Sequence, residues 1–473
     1  MRILVLVDGE HYPPVVVAAI DRLSRRLPGS TVVGAAMLGG TEKLATGPRP
    51  DLGVEVVGGA TPDEALLAGL ARWRPDLVFD LSDEPVVDNR TRLRLVARTL
   101  AAGVAYQGAD FRFDAPPRPR VATKPSVAVI GTGKRSGKTA VSAQLARALA
   151  DRGTPPVVVA MGRGGPAAPE LVDPAVFDLS VEGLVALAAS GRHAASDHLE
   201  GAVMSGVTTV GTRRCGGGMA GAPADDTLRA GVEVANQRPE TLMILEGSGQ
   251  CIPPVNSDAT ILVAPGSADP DLVVGHLGAY RVLLADLIVV TMAATSIAAS
   301  GFRASFEGDV RRLVQGVSGP QRIVRVTLHP TPLAPISGRR VIYATTAPAS
   351  VGSHLAAHLE HVHGAQLVGV THNLANRPLL AADLEEAGPA EVLVVELKAA
   401  AMDVAARFAL DRGMEVVLCD NRVVTIGGDG LFDELGLDIA DLAMDRFSAG
   451  DRSRTSDGRI TDGRITDGRM GAP

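Results

Sequence analysis

Apolar runs of four to seven residues alternate with longer stretches of helical periodicity along most of the chain. This alternation predicts βαβ units and parallel sheets, because a strand buried on both faces is apolar throughout. Residues 2–7 (RILVLV) read as such a strand and 14–27 as the helix after it; 31–37, 54–57 and 77–81 are further strands, followed by a helix over 89–102. The stretch 114–125 (DAPPRPRVATKP) breaks the pattern and predicts a linker or an extended connection, with a boundary near 120. A second block opens with SVAVI (126–130) and continues through strands at 156–160, 241–245, 259–264, 286–291 and 322–327. The proline-rich segment HPTPLAPISG (329–338) predicts another break, and a smaller block follows with strands at 339–344, 366–371, 392–396 and 414–418.

The expected fold class is therefore α/β and multi-domain, with parallel sheets. It comprises a Rossmann-like N-terminal domain (1–120), a central domain (121–330) and a smaller α/β C-terminal domain (331–448). Residues 449–473 contain the polar repeat SDGRITDGRITDGRM, with four Asp, five Arg and almost nothing to bury, so the tail is expected to be disordered.

Composition narrows the function classes. The net charge is −7 with no basic stripe, which argues against a nucleic-acid partner. Cys215, Cys251 and Cys419 form no CxxC pair, which argues against a zinc site or disulfide framework and for reduced thiols in the cytoplasm. The longest apolar run, 282–293, is interrupted by Asp286 and is too short to span a membrane. The N-terminal run reaches Asp8 and Glu10 too soon for a signal segment.

The chemistry concentrates at Gly131-Thr132-Gly133-Lys134-Arg135-Ser136-Gly137-Lys138-Thr139, between the strand VAVI and the helical AVSAQLARALA. Strand, Gly-rich loop, Gly-Lys-Thr and helix form the context of a P-loop, in which backbone N–H groups and the helix N-terminus cradle phosphates. Lys138 is expected to reach the β- and γ-phosphates of ATP, and the Thr139 hydroxyl to ligate Mg²⁺. The first glycine stands one residue early for the strict spacing, and in this the loop resembles that of dethiobiotin synthetase. Glu246, at the end of the strand TLMIL and the start of Glu-Gly-Ser-Gly, is a second Mg²⁺ ligand candidate or else a turn acid.

VDGEHYPPV (7–15), GTGKRSGKTAVSAQLA (131–146), VVAMGRGGP (158–166), ASDHLE (195–200) and VELKAAAMDV (395–404) together resemble the cyclic 2,3-diphosphoglycerate synthetase family. The resemblance reaches from the N-terminus to about residue 425. It implies an ATP- and Mg²⁺-dependent ligase that joins the two phosphates of 2,3-bisphosphoglycerate into an intramolecular anhydride, releasing ADP and phosphate. A site for two polyanions must be basic within an acidic chain. Lys134, Lys138 and Arg163 are the catalytic candidates, and Arg135 lies in the same loop. Arg192, Arg213 and Arg214 are substrate-binding candidates, as are Asp8, Glu10 and His11 of the strand-end cluster DGEHY; a solvated basic pair and a hydrogen-bonded turn are the alternatives. Asp80, Asp83, Glu84, Asn373, Glu396 and Lys398 also follow strands, the last two as site residues or as an internal ion pair.

Two other readings stay open. One is a different P-loop ligase or kinase for a small anion, which leaves DGEHY unexplained. The other is a nucleotide-gated regulator or metallochaperone, for which HLEHVH (358–363) is the densest histidine group, with His358 and His361 on one helical face. A homodimer is compatible with any of the three.

Overall fold

The computed structural model describes residues 1–44, 50–293, 299–314 and 322–450. The tail expected to be disordered lies, from residue 451 on, outside the described residues.

The N-terminal block is a six-stranded sheet of β1 (Arg2–Val7), β2 (Thr31–Met37), β3 (Val56–Gly58), β4 (Leu77–Asp80), β5 (Ala105–Gln107) and β6 (Arg112–Phe113), in the order β3-β2-β1-β4-β5-β6. All pairings are parallel except β5–β6. Helices α1 (Pro13–Arg26), α2 (Pro62–Trp73) and α3 (Asn89–Ala101) flank it. Both α2 and α3 begin at sequence-encoded caps: Thr61 accepts from the Glu64 N–H at 3.2 Å and Asp88 from the Thr91 N–H at 2.8 Å.

The Pro-rich connection after this sheet is extended and clamped. Lys124 is buried, and its Nζ donates to the carbonyl oxygens of Ala235, Arg238 and Glu240 at 2.7–3.0 Å, while Arg120 pairs with Asp258 at 2.7 Å.

The rest of the chain builds one sheet. Its strands are β7 (Ser126–Gly131), β8 (Val157–Gly162), β9 (Glu170–Val172), β10 (Thr209–Cys215), β11 (Asp225–Asp226), β12 (Met243–Glu246), β13 (Ala259–Pro265), β14 (Leu287–Thr291), β15 (Arg322–Pro332), β16 (Arg340–Ala344), β17 (Gln366–Thr371), β18 (Val392–Glu396) and β19 (Glu415–Gly428). The order is β11-β10-β8-β12-β7-β13-β14-β15-β19-β18-β16-β17, with β9 added on β10. Helices α4 (Lys138–Asp151), α5 (Val181–Ala189), α6 (Asp197–Ser205), α7 (Leu228–Asn236), α8 (Pro270–Val274), α9 (Gly278–Leu284) and α10 (Ala299–Leu313) belong to its first half. Helices α11 (Gly352–His363), α12 (Arg377–Glu386), α13 (Arg407–Asp411) and α14 (Phe432–Ser448) follow.

Two expectations change here. The break placed at 329–338 begins as strand: β15 runs through His329-Pro330-Thr331-Pro332, paired antiparallel with β19. Proline is tolerated because β14 pairs only with Arg322–Arg325, so further along β15 the side away from β19 needs no N–H donor. The last helix, α14, returns to the first half of the sheet, where Phe432, Leu435 and Ile439 share a core with Leu145 and Leu149 of α4. Arg446 of α14 donates to the Asp258 carbonyl and the Asp286 carboxylate, both at 2.9 Å.

The two sheets share apolar core. Leu4, Leu6, Val96 and Leu100 of the N-terminal block lie in one buried cluster with Ile252, Leu277 and Val282. An ion pair between Arg90 at the start of α3 and Asp271 of α8 ties the loop region beyond β4 to the one beyond β13.

Candidate active site

Strand β7 is fully buried and delivers Gly131 at the carboxyl edge of the sheet. A Cβ on Gly131 would stand 2.8 Å from Lys138 Nζ and 2.9 Å from Ser136 Oγ, so the position has room only for hydrogen. The loop then turns through Arg135 (φ +59°) and Gly137 (φ +89°) into α4. Neighbouring strands pin it: Thr132 N–H donates to the Val263 carbonyl at 3.2 Å, and Thr291 Oγ1 donates to the Ser136 carbonyl at 2.7 Å. Lys138 curls over the loop, its Nζ 2.7 Å from the Gly133 carbonyl and 3.2 Å from Ser136 Oγ. Desolvation lowers its pKa to about 8, opposed by the charges of Asp197 and Glu246. Lys134 and Arg135 are exposed at the rim of the loop.

Glu246 ends β12, the strand between β7 and β8, and is 5% exposed. Burial, reinforced by Asp197 and Glu200, pushes its pKa up to about 8. Both neighbouring acids come from α6: Asp197 lies beside Gly162, whose Cβ would be 3.2 Å from its Oδ2, and Glu200 is pushed up to about 7 by burial. Lys398, beyond β18, reaches Glu200 at 3.3 Å. Glu396 accepts from Thr345 Oγ1, Thr346 N–H and Thr346 Oγ1 at 2.8–3.0 Å. Burial alone would raise its pKa, but Lys398 and these donors hold it below the usual carboxylate value. Glu200, Glu396, Lys398 and Asn421 line one small cavity with Thr139. The C-terminal strands thus reach the P-loop helix, and Glu396 and Lys398 line this cavity.

The donor set suits magnesium. Mg²⁺ characteristically takes one or two protein oxygens plus phosphate and water. A hydroxyl at Thr139 and a carboxyl at Glu246, whose pKa is raised by burial and then by Asp197 and Glu200, fit that pattern.

The arginine candidates divide. Arg214 is buried on β10, donating from Nη1 to the Gly216 carbonyl at 2.5 Å and from Nη2 to the Ser248 carbonyl at 2.9 Å. Arg163, exposed just beyond β8, meets it over Gly249: a Cβ there would be 2.8 Å from Arg163 Nη2 and 3.1 Å from Arg214 Nη2. Arg213 is exposed and alternates to the other face of β10. Arg192 pairs with Glu170, whose second oxygen lies 3.1 Å from His198.

The N-terminal acidic loop is bonded to itself. Asp8 is 2% exposed and accepts from the N–H groups of Glu10, His11 and Asp83 at 2.7–3.1 Å, with His11 Nδ1 at 2.8 Å. Asp80 is likewise occupied by Ser82, Arg92 and Tyr106. The hydrogen-bonded turn is the arrangement present. In the third block His358 meets His329, ring centroids 4.3 Å apart, and His363 at 5.4 Å, whereas His361 is exposed and bonds the Ala357 carbonyl of its own helix.

Sequence comparison finds relatives over most of the chain. Family models described as cyclic 2,3-diphosphoglycerate synthetase match the chain as N-terminal domain over residues 2–114, P-loop domain over 126–318 and C-terminal domain over 332–422. A cyclic 2,3-diphosphoglycerate synthetase of Rubrobacter xylanophilus is 45% identical, across 91% of this chain and 96% of its own. Those of Methanothermus fervidus and Thermococcus kodakarensis are 40% and 42% identical, across 94% and 91% of this chain and 98% and 96% of theirs. The chain belongs to the cyclic 2,3-diphosphoglycerate synthetase family.

Proposed function

We propose that the chain uses ATP to close the two phosphates of 2,3-bisphosphoglycerate into a cyclic anhydride, with ADP and inorganic phosphate released. The observation that carries the reading is the P-loop with Lys138 folded over it, and the Arg163–Arg214 pair from β8 and β10 on the same side of the sheet edge.

An oxygen of one substrate phosphate attacks the γ-phosphorus, and the bond to ADP breaks. An oxygen of the second substrate phosphate then attacks the phosphorus of the first; the ring closes and the transferred phosphoryl leaves as inorganic phosphate. Little covalent help is needed from the protein, which positions the groups and neutralises charge. Lys138 spans the β- and γ-oxygens, and its depressed pKa rises again when those anions are beside it. Thr139 and Glu246 would hold Mg²⁺, which would supply charge neutralisation at the γ-phosphate. Asp197 and Glu200 stand behind Glu246, and Lys398 fixes Glu200.

Phosphorus NMR of the purified protein with Mg-ATP and 2,3-bisphosphoglycerate tests this directly. A cyclic pyrophosphate signal appearing with stoichiometric ADP and phosphate is expected. ATP hydrolysis without that signal would leave the P-loop assignment and remove the substrate.

A further inference from the structure

We infer that Arg163 and Arg214 form a two-guanidinium subsite across Gly249 that holds one phosphate of the substrate, apart from the P-loop. The inference rests on the phosphoryl-transfer reading above and names where the acceptor is gripped.

Three observations converge. First, the two Nη2 groups crowd the same point above Gly249, 2.8 and 3.1 Å from where a side chain would begin. Gly249 has φ +60°, so both its conformation and the space above it favour glycine. Second, these like charges approach each other, and the hydrogen bonds described for Arg214 go to neutral carbonyl oxygens. Two cations facing one point are stabilised by an anion placed there. Third, Arg214 is 8% exposed, its Nη atoms are anchored on carbonyls, and its Nε is buried without a partner. A buried donor of this kind is uncommon unless something else satisfies the group.

The position fits the acceptor rather than ATP. Gly249 follows β12, Arg163 follows β8 and Arg214 is on β10, so the fork lies one to three strands from the P-loop strand β7. Lys138 feels the charges of both arginines, which places them beside the loop. Arg214 is the fixed half of the fork and exposed Arg163 the half that meets ligand from solvent. Guanidinium matches a phosphate dianion by paired N–H donors, where an ammonium offers only a point charge. A fork at this distance from the P-loop selects a molecule with a second phosphate over one with a single phosphate.

The test is Arg163→Gln, whose side chain is exposed and whose loss leaves the core intact. Arg229→Gln, an exposed helix arginine paired with Glu233, serves as a matched loss of charge. Titration calorimetry measures 2,3-bisphosphoglycerate, 3-phosphoglycerate and ATP on each protein. Arg163→Gln is expected to weaken 2,3-bisphosphoglycerate by at least roughly ten-fold, the loss of a charge-assisted contact, and ATP by less than about two-fold. Its preference for the bisphosphate over 3-phosphoglycerate should narrow correspondingly. Unchanged bisphosphate affinity, an equal loss in Arg229→Gln, or an equal loss for ATP would each overturn the subsite. Wild type that binds ATP but not 2,3-bisphosphoglycerate would sink the proposed substrate instead. In that case inorganic phosphate titrated into ADP-saturated protein decides the fork: wild type must bind it and Arg163→Gln must lose it.

Discussion

Lys138 shows how much a single residue's role depends on its surroundings. Its identity follows from Gly-Lys-Thr at the start of a helix, but its setting follows from Asp197 and Glu246, residues far along the chain. Replacement by Ala removes the ammonium from the loop while leaving the helix start intact, since Ala is the best helix former. We expect Lys138→Ala to cut kcat by at least about 100-fold, the scale for loss of one preorganised transition-state contact. Its circular dichroism should match wild type, and undiminished turnover in that folded variant would remove the P-loop assignment. Asp8 and Asp80 teach the converse. Strand-end acids are legible as site candidates from position alone, yet here they hold backbone N–H groups, Ser82, Arg92 and Tyr106. Sequence cannot name these partners, because Asp83, Arg92 and Tyr106 reach the carboxylates through tertiary contact.

Among the elements, strands and helices with strong periodicity were readable, and those defined by their neighbours were not. The two-residue strands β6 and β11 exist only through the strand beside them. The proline-bearing end of β15 looks like a break until β19 pairs with it. Helix α11 brings a different surprise. His354, His358 and His363 of this helix and His329 of β15 form a chain of tilted and edge-on imidazoles, and desolvation together with the other rings lowers the His358 pKa to about 4. The unfolded chain, with an ordinary histidine value near 6.5, binds its proton first. Stability from this group is therefore complete above about pH 6.5 and is lost as pH falls toward 4. Thermal midpoints measured across that window should fall less steeply in His358→Gln than in wild type. Identical slopes would show that the cluster does not titrate with folding.

At the scale of the whole molecule, the central and C-terminal blocks are joined by hydrogen bonds, since β15 and β19 lie side by side in one sheet. Helix α14 then doubles back onto α4, with Gln144–Asp433 at 3.0 Å and Arg152–Asp441 at 2.8 Å reinforcing the apolar contact. A chain ended after Gly338 would leave β15 an open edge and uncover Leu145, Leu149 and their neighbours. We expect that truncation to aggregate on expression, whereas a chain ended at residue 450 should stay soluble and keep the wild-type melting midpoint. A soluble, cooperatively melting 1–338 fragment would show that the central block folds without its partner strands.

What the sequence alone determined is whatever local chemistry specifies: the apolar period of β7, the glycines that free the backbone for phosphate, the Lys-Thr pair at a helix start, and an acid at the end of β12. Each of those features is encoded within its own short segment, where short-range sterics and hydrogen bonding suffice to impose it. Tertiary structure alone decided which distant residues join them. Asp197 and Glu200 on α6, Arg214 on β10, and Glu396 and Lys398 from the far half of the sheet meet near the P-loop because strand order, which is not sequence order, places their carboxyl ends together. The charge balance that tunes Lys138 and Glu246 is a property of that convergence, since electrostatic interaction depends on distance through space and burial rather than on separation along the chain.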